Sequence, residues 1–514
     1  MQEVSQAWKE IQKRNFVSES YVEITLNIGD PESQADGIPS SNGEMAFSDV
    51  TTLVNGIERI PLPYATLEKN LWRLNGSMML LPDEGPYENQ GYVGDALCNE
   101  AGVFDGVLPT ITLSFSKVFT ALIPGITITW ATAYDEYATK LRITAYAEGV
   151  QTYQSEFENS NMTTVVPADI DHYDQITIEV LEWVRGCRRA RTESVVIGIE
   201  KTYRKAEIMS YSHESMVDPL SFSLPKSEIT FELKNLYGEY NPDNPSGAER
   251  YLIERQMITA RYGYKIGGTI EWIPAGTFFM SEWESPQNGI TATFVARDAL
   301  EHMSDMYTGI SEGTLLEIAT AALNQASLPV LADGSNRWTL DSSLSEITAP
   351  SGLDLSEYTI QEVLQLVANA ACCVFYQDRC GIIHIEPLHA DTSDYEINRF
   401  NSYQNSEISL SKQLKAVDIN NGMYVYEEGA VGETQKVDNP MISSERAEIV
   451  AKWIADFLIH RKQLSGDFRA DPRLDALDRV INQNSFSESV ALVTEIRLNF
   501  NGAFSGSYEG RVGV

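Results

Sequence analysis

The feature that most constrains this chain is a recurring period of two. The runs YVEITLNIGD (21–30), KLRITAYAEG (140–149), TTVVPADI (163–170), QITIEVLEWV (175–184) and EITFELKN (228–235) alternate apolar and polar residues. Alternation of that kind places every second side chain on one face, as in a strand buried on one side. Pro, Gly, Asn and Asp punctuate the runs at intervals suited to packed sheets, and from Leu62 to about Glu200 the texture predicts a jelly-roll-like sandwich. Residues 30–47, rich in Ser, Gly, Asp and Pro, read as a loop. Further strands are expected in 256–266, 271–286 and 290–300, and an alternating pair over 489–512 closes the sequence.

Only three segments change period. TLLEIATAALNQA (314–326) and TIQEVLQLVANAA (359–371) carry apolar residues at i, i+3, i+4 and i+7, which predicts amphipathic helices. Thr359 with Glu362 three residues on forms a capping-box pattern. A hairpin should follow, CCVFYQ and IIHIEPL around the turn DRCG (378–381). A third helix is expected over 444–463, with Ile449, Trp453, Ile454, Phe457 and Leu458 as its apolar stripe. The fold class is therefore mainly β with minor α (α+β), and 514 residues suggest three or four domains at roughly 150 residues each.

Charge and cysteine usage narrow the function. Seventy-three Asp and Glu against 38 Lys and Arg give a net charge of −35. The excess is spread along the chain, so it is no acidic tail on a neutral body. A field of that sign repels phosphate and anionic lipid, which argues against binding nucleic acid or a membrane surface. Five cysteines (Cys98, Cys187, Cys372, Cys373, Cys380) are too few and too irregular for a disulfide framework and read as reduced thiols. The first 20 residues lack the apolar stretch of a secretory signal, and no run is apolar enough for a membrane-spanning segment.

Reactive constellations are scarce. Of six histidines only His384 and His389 are close, and an offset of five along a strand places them on opposite faces. No zinc spacing, nucleophile elbow or phosphate loop occurs. Cys372 and Cys373 have apolar neighbours, as core thiols do. Carboxylate pairs such as Asp471/Asp475 and Glu282/Glu284 arise by chance in so acidic a chain. Neither catalytic nor metal residues are assigned, and no cofactor is expected. One cluster admits two readings: Trp130, Tyr134, Tyr137, Tyr146 and Trp183, with Arg188, Arg189 and Arg191, could stack on and hydrogen-bond a glycan. Alternatively Trp130 and Trp183, ending apolar strands, are core, and RGCRRAR (185–191) is a salt-bridged contact to an acidic neighbour.

At 228–247 the chain reads EITFELKNLYGEYNPDNPSG. This resembles a signature of tail hub and tail-tip proteins of phages, prophages and tailocins of Gram-positive bacteria. The structural motif residues are Phe231, Leu233, Asn235, Gly238, Tyr240, Pro242 and Asn244. Ala296–Leu300, with Arg297 and Asp298, looks like the close of the next barrel strands. The helix–hairpin module at 359–388 and the R-x-D-P-R-L-D loop, with Arg469, Pro472, Arg473 and Asp475, follow in the family's order. TLEKNLWRLNGSMMLLPD (66–83) is similar to an opening phrase of prophage tail proteins with a jelly-roll insert.

The resemblance implies two tube-like β-barrel hub domains plus smaller ones, divided as follows. Residues 1–61 hold the N-terminal strands of the first barrel, 62–203 the jelly-roll-like insert, 204–305 a hub barrel and 306–395 the helix/hairpin domain. Residues 396–514 hold the strands and helix that complete the hub. It implies a homotrimeric ring in the virion tail tip or baseplate, assembled in the bacterial host cytoplasm. The partners implied are the tail tube or distal tail protein, the tape measure protein, and fibre or spike proteins. Host attachment and genome ejection would be its roles, and DNA would pass through the channel without specific binding, repelled by acidic lumen side chains. Too few residues follow Asp475 for an appended peptidase or muramidase, so none is expected. The rival expectations are a receptor- or carbohydrate-binding adhesin acting through 62–203 and a cell-wall hydrolase.

Overall fold

The computed structural model describes residues 1–14, 19–54, 62–81, 90–241, 243, 244, 252, 254–286, 289–328, 335–389, 395–483 and 488–514. Strand takes 45% of the chain and helix 14%, so the mainly β class with minor helix is the one formed. Three hydrophobic cores organise the described residues.

The first core lies against a 13-stranded sheet built from both ends and the middle of the chain. Its path runs Ile199–Tyr203, Ser20–Ile28, Met257–Ile266, Thr269–Glu284, Thr291–Arg297, Lys226–Lys234, Ile208–Met216, Glu488–Phe500, Phe504–Val512, Lys462–Phe468 and Glu407–Leu410. Alternation does the work: in Lys226–Lys234 the residues Ile229, Phe231 and Leu233 are fully buried while their neighbours face outward. The expected tube-like barrels are not closed. Among the described residues the two terminal strands of the path pair with one neighbour each, Ser20–Ile28 and Lys462–Phe468, so the ladder remains open.

The second core fills a sandwich. One sheet orders Tyr92–Val93, Arg191–Ile197, Ile123–Trp130 and Thr163–Ile170; the other orders Ile38–Ser41, Thr110–Phe119, Tyr173–Trp183, Ala138–Ala147 and Val150–Glu158. Residues 30–47, expected as loop, begin instead with the helix Pro31–Asp36 and the strand Ile38–Ser41. Asp30 caps that helix, accepting from the N–H groups of Glu32 and Ser33. The sandwich therefore takes in residues upstream of 62, and Val50 and Leu53 are buried in its core.

Two glycines make the junction. Ile28 pairs with Ile199, and both chains leave the large sheet at the next position, Gly29 and Gly198. A Cβ on Gly29 would meet the Ile197 carbonyl oxygen at 2.2 Å, and one on Gly198 the Ile28 carbonyl oxygen at 2.5 Å. Gly198 also has φ +137°, so only glycine suits this crossing.

The third core joins the helices Leu315–Ala326, Ile360–Ala371 and Ala447–Leu458 to two three-stranded sheets. Thr359 and Glu362 form the capping box read from the sequence, and Thr314 with Glu317 forms a second. Residues 414–458, assigned above to the closing hub segment, pack in this core through Val417, Ile419, Val450 and Ile454. The third helix is shorter than expected and turned differently. It buries Ala447, Val450, Ala451, Ile454 and Ala455, leaving Ile449 exposed and Trp453, Phe457 and Leu458 half-buried. Small residues on that face let the backbone approach the sheet closely. Lys462 already belongs to a strand paired with Phe504–Val512.

Candidate functional site

The described part of the motif, 228–241 with Asp243 and Asn244, folds as a knot at a strand end. Phe231 stacks on Phe294 at 5.2 Å between centroids, and Tyr240 meets Phe294 edge-on at 5.1 Å. Asn235 organises the turn. Its backbone N–H donates to Ile290 O at 2.6 Å, its Oδ1 accepts from Tyr240 N at 3.1 Å, and its Nδ2 donates to Ser285 Oγ at 2.8 Å. Gly238 supplies φ +66°, and Asn244 Nδ2 donates to its carbonyl at 2.9 Å. The Tyr240 and Tyr203 hydroxyls are hydrogen-bonded, which ties the knot to the strand returning from the sandwich. Pro242 lies outside the described residues.

Arg297 lies on the outer face of the sheet, 3.0 Å from Glu228, 3.7 Å from Glu301 and 3.8 Å from Glu282. Asp298 turns inward. Its carboxylate accepts from Ser227 N at 2.7 Å and Leu300 N at 3.1 Å, capping the short helical turn Ala299–Met303. Burial pushes this carboxyl up to about 7, against the pull of those two N–H donors. Beside it, His213 spans Tyr262 Oη at 2.8 Å and Ser227 Oγ at 3.0 Å. Burial, aided by the positive charge of Arg379, lowers its imidazole to about 3.

The loop 469–475 is a socket. Arg469 donates to the carbonyls of Arg14 and Gln12, and Arg473 forks onto Asp471 with contacts of 3.0 and 2.6 Å. Into it reaches Arg379, from the hairpin turn of the helical module. Arg379 donates to Asp475 Oδ1 at 2.5 Å and to the carbonyls of Pro472, Leu474 and Pro274 at 2.7, 2.9 and 2.9 Å. Its guanidinium also lies 5.7 Å from the Tyr262 ring centre. A planar fork with five donors suits such a convergence of oxygens, and a lysine does not. Arg379 was not singled out from the sequence; a lone arginine in a D-R-C-G turn carries no signal of a partner 96 residues away.

The aromatic and arginine cluster of the sandwich is internal. Trp130 and Trp183 are buried edge-to-face at 5.9 Å, Tyr134 is buried, and Tyr137 and Tyr146 are half-buried. No open platform for a sugar ring forms on the two tryptophans: their indole N–H groups are spent on Thr164 and Glu136, and the core reading holds. Arg188 pairs with buried Glu136 at 2.9 Å and donates to the carbonyls of Lys69 and Asn70. Arg189 donates to Glu68 through its backbone at 3.0 Å and to the Asp95 carbonyl through its side chain. Arg191 forks onto Glu68 and stacks 4.7 Å above Tyr134. Burial would raise the Glu68 carboxyl, but Arg191 outweighs it and holds the group below the usual range. The acidic partners expected for RGCRRAR are thus in this chain, and the clamps fasten the segment 66–70. That segment leaves Leu67, Trp72, Leu74 and Leu80 exposed nearby.

Other candidates disperse. Asp471 and Asp475 are separately engaged by Arg473 and Arg379. His384 and His389, expected on opposite faces, both approach Glu386, at 3.8 and 3.0 Å, because the strand ends there. Burial pushes Cys372 up to about 11 and Cys373 to about 12. Among the described residues no cluster of three His, Cys, Asp or Glu could hold a metal, and no helix is long and apolar enough to cross a membrane. A shallow acidic hollow lies over the large sheet, lined by Glu407, Asp467, Glu495 and Glu509. Glu495 and Glu509 sit directly opposite on paired strands.

The molecule is thus a mainly β protein in which the phrases around Phe231, Asp298 and Asp475 build interior joints. No family model matches the sequence, and no curated protein matches it. Among solved structures, the chain is similar to the 43 kDa tail protein of prophage MuSo2 from Shewanella oneidensis, at 14% identity and TM-score 0.42, covering 60% of this chain and 94% of that one. It is also similar to a tail protein from Neisseria meningitidis MC58, at 12% identity and TM-score 0.41, covering 61% and 93%. Prophage tail protein gp18 from Listeria monocytogenes EGD-e matches at 9% identity and TM-score 0.38, covering 61% and 91%.

Proposed function

We propose that the chain is a structural subunit of a phage-type tail tip, a hub that caps the tail tube as a homotrimeric ring and joins it to fibres or spike. The observation that carries this reading is convergence. Phrases far apart in sequence, around Phe231, Asp298, Arg379 and Asp475, meet on one large sheet and brace it. Side chains are used for rigidity, and the described residues bring no nucleophile and base together in a cleft. In this reading residues 1–28 and 199–305 with the last strands form the hub, and the helical module braces it. A tube or distal tail protein, a tape measure protein and fibres are its neighbours, and it works in the virion without enzymatic activity.

The strand order of the insert supports a jelly roll. Counting from Tyr92–Val93, eight strands divide between the two sheets in the order 1-8-3-6 and 2-7-4-5, as two interleaved Greek keys do. Glu495 facing Glu509 supports an acidic channel lining. Opposed like charges weaken a sheet, so their presence fits a surface selected to repel DNA phosphate. Electron microscopy of the purified chain tests both points: a ring with an acidic central opening is expected, and a neutral or basic opening contradicts the lining.

A second reading, attachment through the sandwich, is favoured by Trp72 and Leu74, exposed just past the clamped segment. A glycan array with the full-length protein separates the two, since a pure scaffold retains no sugar.

A further inference from the structure

Cys98 and Cys187 lie on adjoining segments of the sandwich. Cys98 N donates to Arg188 O at 3.0 Å, and Cys187 N donates to Asn99 O at 3.0 Å, so the backbones run antiparallel with the cysteines on diagonal positions. The Cys98 sulfur reaches across the gap. It donates to the Arg185 carbonyl at 3.3 Å and accepts from the Arg188 N–H at 3.3 Å. That nitrogen is bonded to the carbonyl carbon of Cys187, so Cys98 Sγ lies within about 6 Å of the Cys187 Cα by bond lengths alone. The Cys98 sulfur thus lies next to the backbone of Cys187, the first requirement for a bond between the two side chains.

The two thiols differ in access. Cys98 is buried at 4% exposure, whereas Cys187 is half-buried and sits at φ +56° in a tight turn. Around Cys187 lie the ammonium of Lys69, paired with Glu100 at 2.7 Å, and, two residues to either side, the exposed Arg185 and half-buried Arg189, a patch richer in cations than the acidic chain as a whole. An anionic small-molecule disulfide is drawn to such a patch, while the rest of the surface repels it.

We propose that Cys98 and Cys187 are a redox pair, with Cys187 meeting a low-molecular-weight anionic disulfide and Cys98 resolving the adduct into an internal disulfide. In the first step the Cys187 thiolate attacks one sulfur of the oxidant, a mixed disulfide forms and one small thiolate leaves. In the second the Cys98 thiolate, its proton given to water, attacks the Cys187 sulfur and the second small thiolate leaves. The protein loses two hydrogens and the oxidant becomes two thiols. The bond closes beside the Arg188–Glu136 and Arg191–Glu68 clamps, locking the 98–104 and 184–191 segments once the protein has left a reducing compartment.

The test uses the full-length protein with glutathione disulfide, followed by denaturation, alkylation and non-reducing peptide mass mapping. Exposed Cys380 serves as the internal control for oxidant activity. The expected product is a linked pair of peptides containing Cys98 and Cys187, two hydrogens lighter than their sum. Cys98→Ser should stop at a stable glutathionyl adduct on Cys187. A native chain that keeps that adduct with Cys98 alkylated overturns the proposal, as does alkylation of both cysteines while Cys380 has reacted. Either failure leaves the tail-tip reading untouched, because the pair lies in the sandwich and uses none of the hub contacts.

Discussion

Arg379 joins a hairpin turn of one core to the loop of another, and it donates to four oxygens. Removing one member of a buried pair strands the other, at roughly 3–5 kcal/mol in fully buried cases. Asp475 keeps 29% of its side chain exposed, which discounts the loss. Arg379→Met should therefore cost about 2–3 kcal/mol in chemical denaturation, and Arg379→Lys should recover only part of it because an ammonium cannot span the four oxygens. Asp298 sets a different signature. Its carboxyl lies near 7 when folded and near 4 when unfolded, so the folded state binds more protons between those values. Its contribution is favourable at low pH and is lost as pH rises through 7, with a slope of up to about 1.4 kcal/mol per unit. Asp298→Asn should flatten that slope between pH 5 and 8 in thermal unfolding. An unchanged slope would show that the carboxyl is already ionised in the folded chain.

At the scale of elements, the helices were the most legible. Thr359 and Glu362 announce an N-terminus, and the capping box forms, Thr359 Oγ1 accepting from Glu362 N at 3.4 Å and Glu362 Oε2 from Thr359 N at 2.7 Å. Thr359→Ala should lower stability by about 1 kcal/mol, read as a drop in the unfolding midpoint. Strands with strict alternation, such as Thr163–Ile170, were equally plain. Ile208–Met216 and Val150–Glu158 were missed because IMSYSHESM and VQTYQSEFE bury few apolar side chains, and their pairing is decided by neighbours in the sheet. The third helix was misjudged in rotation. Hydrophobicity favoured Ile449 and Trp453, whereas the contact selects small residues that permit close approach. Of the candidate site, the Asn235 turn was readable from local chemistry. The socket for Arg379 and the clamps of Glu68 and Glu136 were not, since ion pairs across 52 to 123 residues leave no local trace.

For the whole molecule, the Gly29–Gly198 crossing shows how a sandwich can be carried on a sheet without breaking its register. Ser20–Ile28 and Ile199–Tyr203 pair up to that point and diverge beyond it. The large open ladder ends in Glu407–Leu410, a fully exposed strand bearing Ile408 and Leu410. An unpaired edge of that kind is one that another chain can extend or cover. Self-assembly is thus the property on which the account stands, and the mass of the purified particle in solution tests it most directly. Native mass spectrometry or sedimentation at micromolar concentration should find three copies of the 57.3 kDa chain per particle. A single copy at every concentration would contradict it.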